Sequence, residues 1–279
     1  MGRIVGGFIM PHEPGVFYMP AERWTDGQRR VMSAYAHIRA EIDRLQATTA
    51  IVVGADHYVL FGPGCLPSFL VGIGEVSGPY ERFPGLEQGR IPNNVPLATH
   101  IAQYGRDHGF DWAVSKVLRV DHSIGVPARV CVLPNPQVTG VIPVYLASGV
   151  APFIGMKRAY QVGGMIRDAV HAWPHDERVV VIGSGGISHW VGMAQMGQVN
   201  PDFDRSIIDC VVRGDAQAMM ALSDEYVLEQ GGNGAFEIRN FLCMMGALPG
   251  CTGAQIAYEH GDEWVTGLGF AQVFDKDGS

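Results

Sequence analysis

Charge is scarce in this chain. Of its 279 residues only 17% are Asp, Glu, Lys or Arg, while 47% are hydrophobic, and the net charge is -8. Lys and Arg never cluster. The basic footprint that binds a phosphate backbone is missing, and no nucleic-acid partner is expected. Long apolar runs are missing as well: none reaches the roughly 18 residues that span a bilayer. "MGRIVGGFIMPHEP" lacks a basic segment leading into a long apolar one, so it does not read as a secretory signal. Gly2 does not open a myristoylation pattern, because position 6 is Gly rather than Ser or Thr. No membrane association is expected. The five cysteines (Cys65, Cys131, Cys210, Cys243, Cys251) are scattered and form no CxxC pair. That excludes a disulfide framework and a thiolate zinc site, and a reducing, cytoplasmic setting is expected.

Repeats with a period of 20 to 50 residues are also absent, as are low-complexity linkers. The chain is therefore read as one domain over residues 1–279, long enough to bury roughly three quarters of its unfolded surface. Along it, apolar runs alternate with helical spacing. "RIVGGFIM" reads as a first strand. Val31, Tyr35, Ile38, Ile42 and Leu45 then share one helical face, with Asp26 as the expected N-cap. "TAIVVGADH" is apolar throughout its run, as a strand buried on both faces must be. "SKVLRVDHS", "TGVIPVYLAS" and "ERVVVIGSGG" complete the strands. Helices are expected after "GRIPNNVP", through "GMKRAYQVGGMIRDAVHAW", on either side of Gly214, and through "GAFEIRNFLCMMGA". This alternation predicts an α/β fold, a three-layer sandwich with a mostly parallel or mixed central sheet flanked by helices.

What stands out against this background is the placement of four of the ten histidines. His12, His57 and His189 each follow a strand, and His122 lies at or just past the end of another. Ligands of open α/β sheets bind outside the carboxyl ends of strands, so these four could meet in one crevice. A metal would explain such a meeting, since two histidines and a carboxylate on one face suit Fe(II). Glu237, in "GGNGAFEIRNF", is the candidate carboxylate; it equally suits a residue complementing a helix dipole. Asp121 fits either a residue that orients His122 or the cap of the next turn. The glycine-rich "GSGGIS" following "RVVVI" fails as a dinucleotide loop, because Ser188 stands where G-x-G-x-x-G needs its last glycine.

"FIMPHEP", "GADHYVLFGPGCLPSFLVGIGE", "RVDHSIGVP", "RVVVIGSGGISHW" and "GGNGAFEIRNF" occur in this order. Together they resemble the class III extradiol ring-cleaving dioxygenases, the group of the protocatechuate 4,5-dioxygenase β subunit. The resemblance implies a single Fe(II) held by His12, His57 and Glu237. It implies His189 as catalytic acid and base, with His122 as a second active-site histidine. It implies O2 and a catechol-type, aminophenol or dihydroxypyridine substrate opened to a semialdehyde. It also implies a homo-oligomer, in some relatives joined by a small second subunit. Glu13 stands where several relatives have a small polar residue, Ser123 where glycine is common, and Phe241 near a frequent tryptophan. Glu13, Asp121, Ser123 and Ser188 are expected to line or back the substrate pocket. A non-catalytic metal- or ligand-binding protein and a zinc enzyme are the alternatives on the same scaffold.

Overall fold

The computed structural model describes residues 1–261 and 263–274, so the expected domain span of 1–279 includes positions 262 and 275–279 outside the described residues. In chain order the described elements are β1 (Gly2–Met10), α1 (Asp26–Arg44), β2 (Thr49–Ala55), β3 (Phe69–Ser77), β4 (Arg90–Ile91), α2 (Val95–Asp107), β5 (Ala113–Arg119), α3 (His122–Pro127), β6 (Gly140–Leu146), α4 (Met156–Ala172), β7 (Glu177–Ser184), α5 (Pro201–Arg213), α6 (Ala216–Met220), α7 (Asp224–Gly231), α8 (Ile238–Ala247), β8 (Thr252–Glu259) and β9 (Leu268–Phe274).

Nine strands form one mixed sheet in the order β4-β3-β6-β2-β7-β1-β9-β8, with β5 on β3. Its centre is parallel: β6, β2, β7 and β1 run side by side. All seven residues of β2 and all seven of β6 are buried, which explains their unbroken apolar runs. Helices cover both faces. The α1 and α3 side packs Val31, Tyr35 and Ile38 against Phe8, Val52 and Ile182. The other side packs α2, α4, α5 and α8 against Ile51, Val144 and Val181. The fold is thus the expected three-layer α/β sandwich.

Three local readings change. Thr25, not Asp26, caps α1: its hydroxyl accepts from Gln28 N and the Gln28 side chain accepts from Thr25 N, a closed capping box. The final helix begins as a tight 3-10 turn, Gly234–Glu237, before α8. β5 pairs with β3 in parallel, and β3 runs antiparallel to β6, so β5 opposes the parallel core.

One helix contact is unusually close. A Cβ on Gly163 of α4 would lie 1.9 Å from Cys243 O, and one on Gly246 of α8 would lie 2.0 Å from Tyr160 O. Only glycine allows this backbone approach. It presses α8 against α4, while Asn240 ties α8 to the sheet by donating to Ser184 O at 2.8 Å.

Candidate active site

The parallel register brings three strand ends level. Met10 of β1 pairs with Ser184 of β7, and Val53 of β2 pairs with Gly183. His12, His57 and His189 leave these neighbouring strands and line one cavity of about 400 Å³. His122 reaches the same cavity by another route. Because β5 opposes the core, its end does not lie on the shared carboxyl edge. Instead β3 leaves β6 after Val71, with a register break between Gly72 and Glu75, and carries β5 with it. α3 then crosses onto β2, with Ser123 packed against Gly54.

Glu237 comes from the turn before α8. Its Oε2 accepts from Gly186 N at 2.8 Å. Its Oε1 lies 3.2 Å from His12 Nε2 and 3.0 Å from His57 Nε2. Each imidazole is held from behind: His12 Nδ1 lies 2.9 Å from Ser184 Oγ, and His57 Nδ1 lies 2.8 Å from Asp121 Oδ2. Asp121 also accepts from Ser123 N, Ser123 Oγ and Tyr145 Oη, all of them buried. The aspartate therefore caps α3, one of the two roles its sequence position suggests, and backs His57 rather than His122. Nδ1 of His122 faces Glu81 Oε1 instead, at 2.7 Å.

The electrostatics follow from burial and pairing. Burial alone would raise the Asp121 and Glu237 carboxyls, yet the histidine partners outweigh it and hold both below the usual carboxylate range. Burial lowers His12 and His189, with Glu237 opposing it in part. His57 is the exception: burial pulls it down, but Asp121 and Glu237 carry it well above the ordinary imidazole value.

These contacts test whether the residues suit a cation. With Nδ1–H of His57 committed to Asp121, its Nε2 offers a lone pair towards Glu237 Oε1 unless a proton is added. A proton on Nε2, favoured by the two carboxylate partners, bridges the 3.0 Å to Glu237 Oε1, and a metal cation would replace it there. Two imidazole nitrogens around one carboxylate oxygen, each with a hydrogen-bonded partner behind it, suit a divalent transition metal. His122 is also within reach, since His12, His57 and His122 offer ring nitrogens within 4.8 Å of one another. Its ring stacks on His57 at 4.3 Å.

His189 stands beside this cluster. Its Nδ1 donates to Ile187 O at 3.2 Å, which leaves Nε2 as the free base. That ring fits only because position 234 is glycine, where a Cβ would lie 2.0 Å from His189 Nε2. Glu13 lines the cavity, and its Oε1 caps the next turn by accepting from Gly15 N at 2.9 Å. Ser123 and Ser188 are not among the lining residues. Ser188 N donates to Asp204 and its Oγ accepts from Asn200 N, so Ser188 fastens the loop rather than facing the pocket. Phe241 is wholly buried against the sheet.

Glu81, Ser184, Asn233 and Thr266 carry no sequence signal that singles them out. Glu81 lies in the irregular "GPYERF" loop, where no spacing marks it as a histidine partner.

The fold has a solved counterpart. An uncharacterized protein of Escherichia coli K12 superposes with a TM-score of 0.61 at 12% identity, covering 96% of this chain and 99% of its own. The family model for the catalytic LigB subunit of aromatic ring-opening dioxygenase matches residues 6–269. The chain belongs to that family, the class III extradiol ring-cleaving dioxygenases. Among curated relatives, a 2,3-dihydroxyphenylpropionate/2,3-dihydroxicinnamic acid 1,2-dioxygenase of Rhodococcus globerulus is 25% identical, with 96% of this chain and 98% of that protein aligned. A protein of the same name from Burkholderia vietnamiensis is 26% identical over 93% and 94%. Among the described residues, no helix is long and apolar enough to cross a membrane.

Proposed function

We propose that this cavity opens the ring of a catechol-type substrate with O2, using Fe(II) held by His12, His57 and Glu237. The observation that carries the reading is the meeting of His12 Nε2 and His57 Nε2 on one oxygen of Glu237, beside the free Nε2 of His189. Fe(II) bound there supplies the redox link between the aromatic ring and O2.

The protein's own groups do the rest. Burial keeps His189 neutral near pH 7, so its Nε2 can take a proton from a ring hydroxyl and return it as the ring opens. His122, held through Nδ1 by Glu81, presents its other nitrogen to the substrate side. Val150 gives the cavity a buried apolar wall, with Val191 and Val265 at its exposed rim. The product is a ring-opened semialdehyde that contains both oxygen atoms of O2.

Oxygen uptake together with a yellow semialdehyde product, measured on Fe(II)-loaded protein over a panel of catechols, tests the reading. Zinc-loaded protein should take up no oxygen. Absence of uptake with every catechol and Fe(II) would overturn it. A cytoplasmic homo-oligomer belongs to the same proposal, and light scattering on the purified chain tests the assembly.

A further inference from the structure

The cavity has an unbalanced charge. At about 400 Å³ it falls within the usual range for small-ligand pockets, roughly 300 to 1,000 Å³, and has room for a substituted ring. Away from the histidines its wall is made by Pro14, Val150, Val191 and Val265, with Tyr58, Asn233 and Thr266 as uncharged polar groups. Among the described residues, no lysine or arginine lines it. The one carboxylate on the wall besides Glu237 is Glu13, held in place by its hydrogen bond to Gly15 N.

Away from the histidine cluster, a carboxylate on the substrate would find no lysine or arginine among the described residues to meet it. It would face the fixed like charge of Glu13, and like charges at close range repel. An uncharged substituent meets valines and three neutral polar groups. An ammonium meets Glu13. The curated relatives above are named for catechols bearing propionate or cinnamic acid chains; among the described residues, no lysine or arginine lines this cavity for such a chain.

Resting on the ring-cleavage reading, we infer that the cavity selects catechols whose ring substituent is uncharged or cationic, and that Glu13 turns carboxylate-bearing catechols away. Three catechols of similar shape separate the cases: 3-propylcatechol, 3-(2-aminoethyl)catechol and 2,3-dihydroxyphenylpropionate. For Fe(II)-loaded protein, kcat/KM should be lower for the propionate than for the aminoethyl compound by about tenfold or more, with the propyl compound above the propionate. Glu13→Gln keeps an acceptor for Gly15 N and removes the charge, so the ratio of aminoethyl to propionate should narrow by about tenfold. Glu13→Asp keeps the charge and should keep the wild-type ranking.

Equal or better use of the propionate by the wild-type protein would overturn the inference. An unchanged ratio in Glu13→Gln, or a ratio narrowed equally in Glu13→Asp, would overturn the role of Glu13. Should no catechol be cleaved, the ring-cleavage reading fails. Calorimetric binding of the same three compounds under nitrogen then still decides the charge preference, because it needs no turnover.

Discussion

His122 and Glu81 form one hydrogen-bonded unit, with Nδ1 2.7 Å from Oε1 across 41 positions of sequence. The carboxylate fixes the ring that stacks on His57 and fixes which nitrogen faces the cavity. Glu81→Gln keeps the shape and removes the charge. It should lower kcat by about tenfold, on the lower side of what proton-transfer groups contribute, with metal content unchanged. Stopped-flow turnover and metal analysis on one preparation check this. Wild-type kcat in the variant would mean that Glu81 does not position His122.

The same cluster contains three histidines and a carboxylate, so the ligand set is open to a direct test. Glu237→Gln should lose metal, with affinity down by about 100-fold, while His122→Phe should keep it. Atomic absorption on dialysed protein reads both. Metal retained in the first variant and lost in the second would assign the site to three histidines.

Much of this site was legible in the sequence because its signals are local. His12, His57 and His189 each follow an apolar run that ends in a breaker, and the parallel register then brings those ends level. Glu237 was legible as a candidate through its glycine-rich approach. Glu81 was not, since a loop residue paired through tertiary folding leaves no period to read. The direction of β5 was hidden for the same reason: pairing with β3 is decided by distant residues, and the route of His122 into the cavity follows from it. Of the two roles open to Asp121 the cap of the next turn holds, while the histidine it orients is His57 rather than His122, because adjacency in sequence is not adjacency in space. β3, β8 and β9 carry no clear strand signal in the sequence. β3 is interrupted by glycines at 72 and 74, and β8 is an edge strand with no buried residue and no clean alternation. Of the apolar-rich stretch from Phe61 to Phe69 only Phe69 is buried, while Phe241–Met245 is wholly interior.

The glycine at 234 makes a separate prediction. A methyl group there would lie 2.0 Å from His189 Nε2, so the ring must move. Gly234→Ala should therefore lower kcat by about 10² while metal stays bound, the scale of a displaced acid–base group. Steady-state kinetics with metal analysis checks it. Normal turnover would mean that His189 is not the proton carrier at its present position.

Asp204 governs a pH dependence away from the metal ligands. Burial pushes its carboxyl up to about 6, against hydrogen bonds from Tyr258 and Ser188. In the unfolded chain it titrates near 3.9. Between these values the native state holds a proton that the unfolded state has released. Stability from this group is therefore full below about pH 4 and falls as pH rises to about 6, by about 3 kcal/mol in total. Asp204→Asn is neutral and nearly isosteric. The difference in unfolding free energy between the two proteins, measured in urea from pH 4 to 7, should shift in favour of the variant over that window. Parallel curves would contradict the assignment.

The central claim is that the histidine–glutamate cavity inserts dioxygen into an aromatic ring. Turnover of 3-propylcatechol by Fe(II)-loaded protein under isotopically heavy O2, with mass spectrometry of the product, tests it most directly. The expected result is one O2 consumed per catechol, with both heavy atoms in a ring-opened hydroxy-oxo acid. A product with no heavy oxygen, or no ring-opened product, would contradict the account.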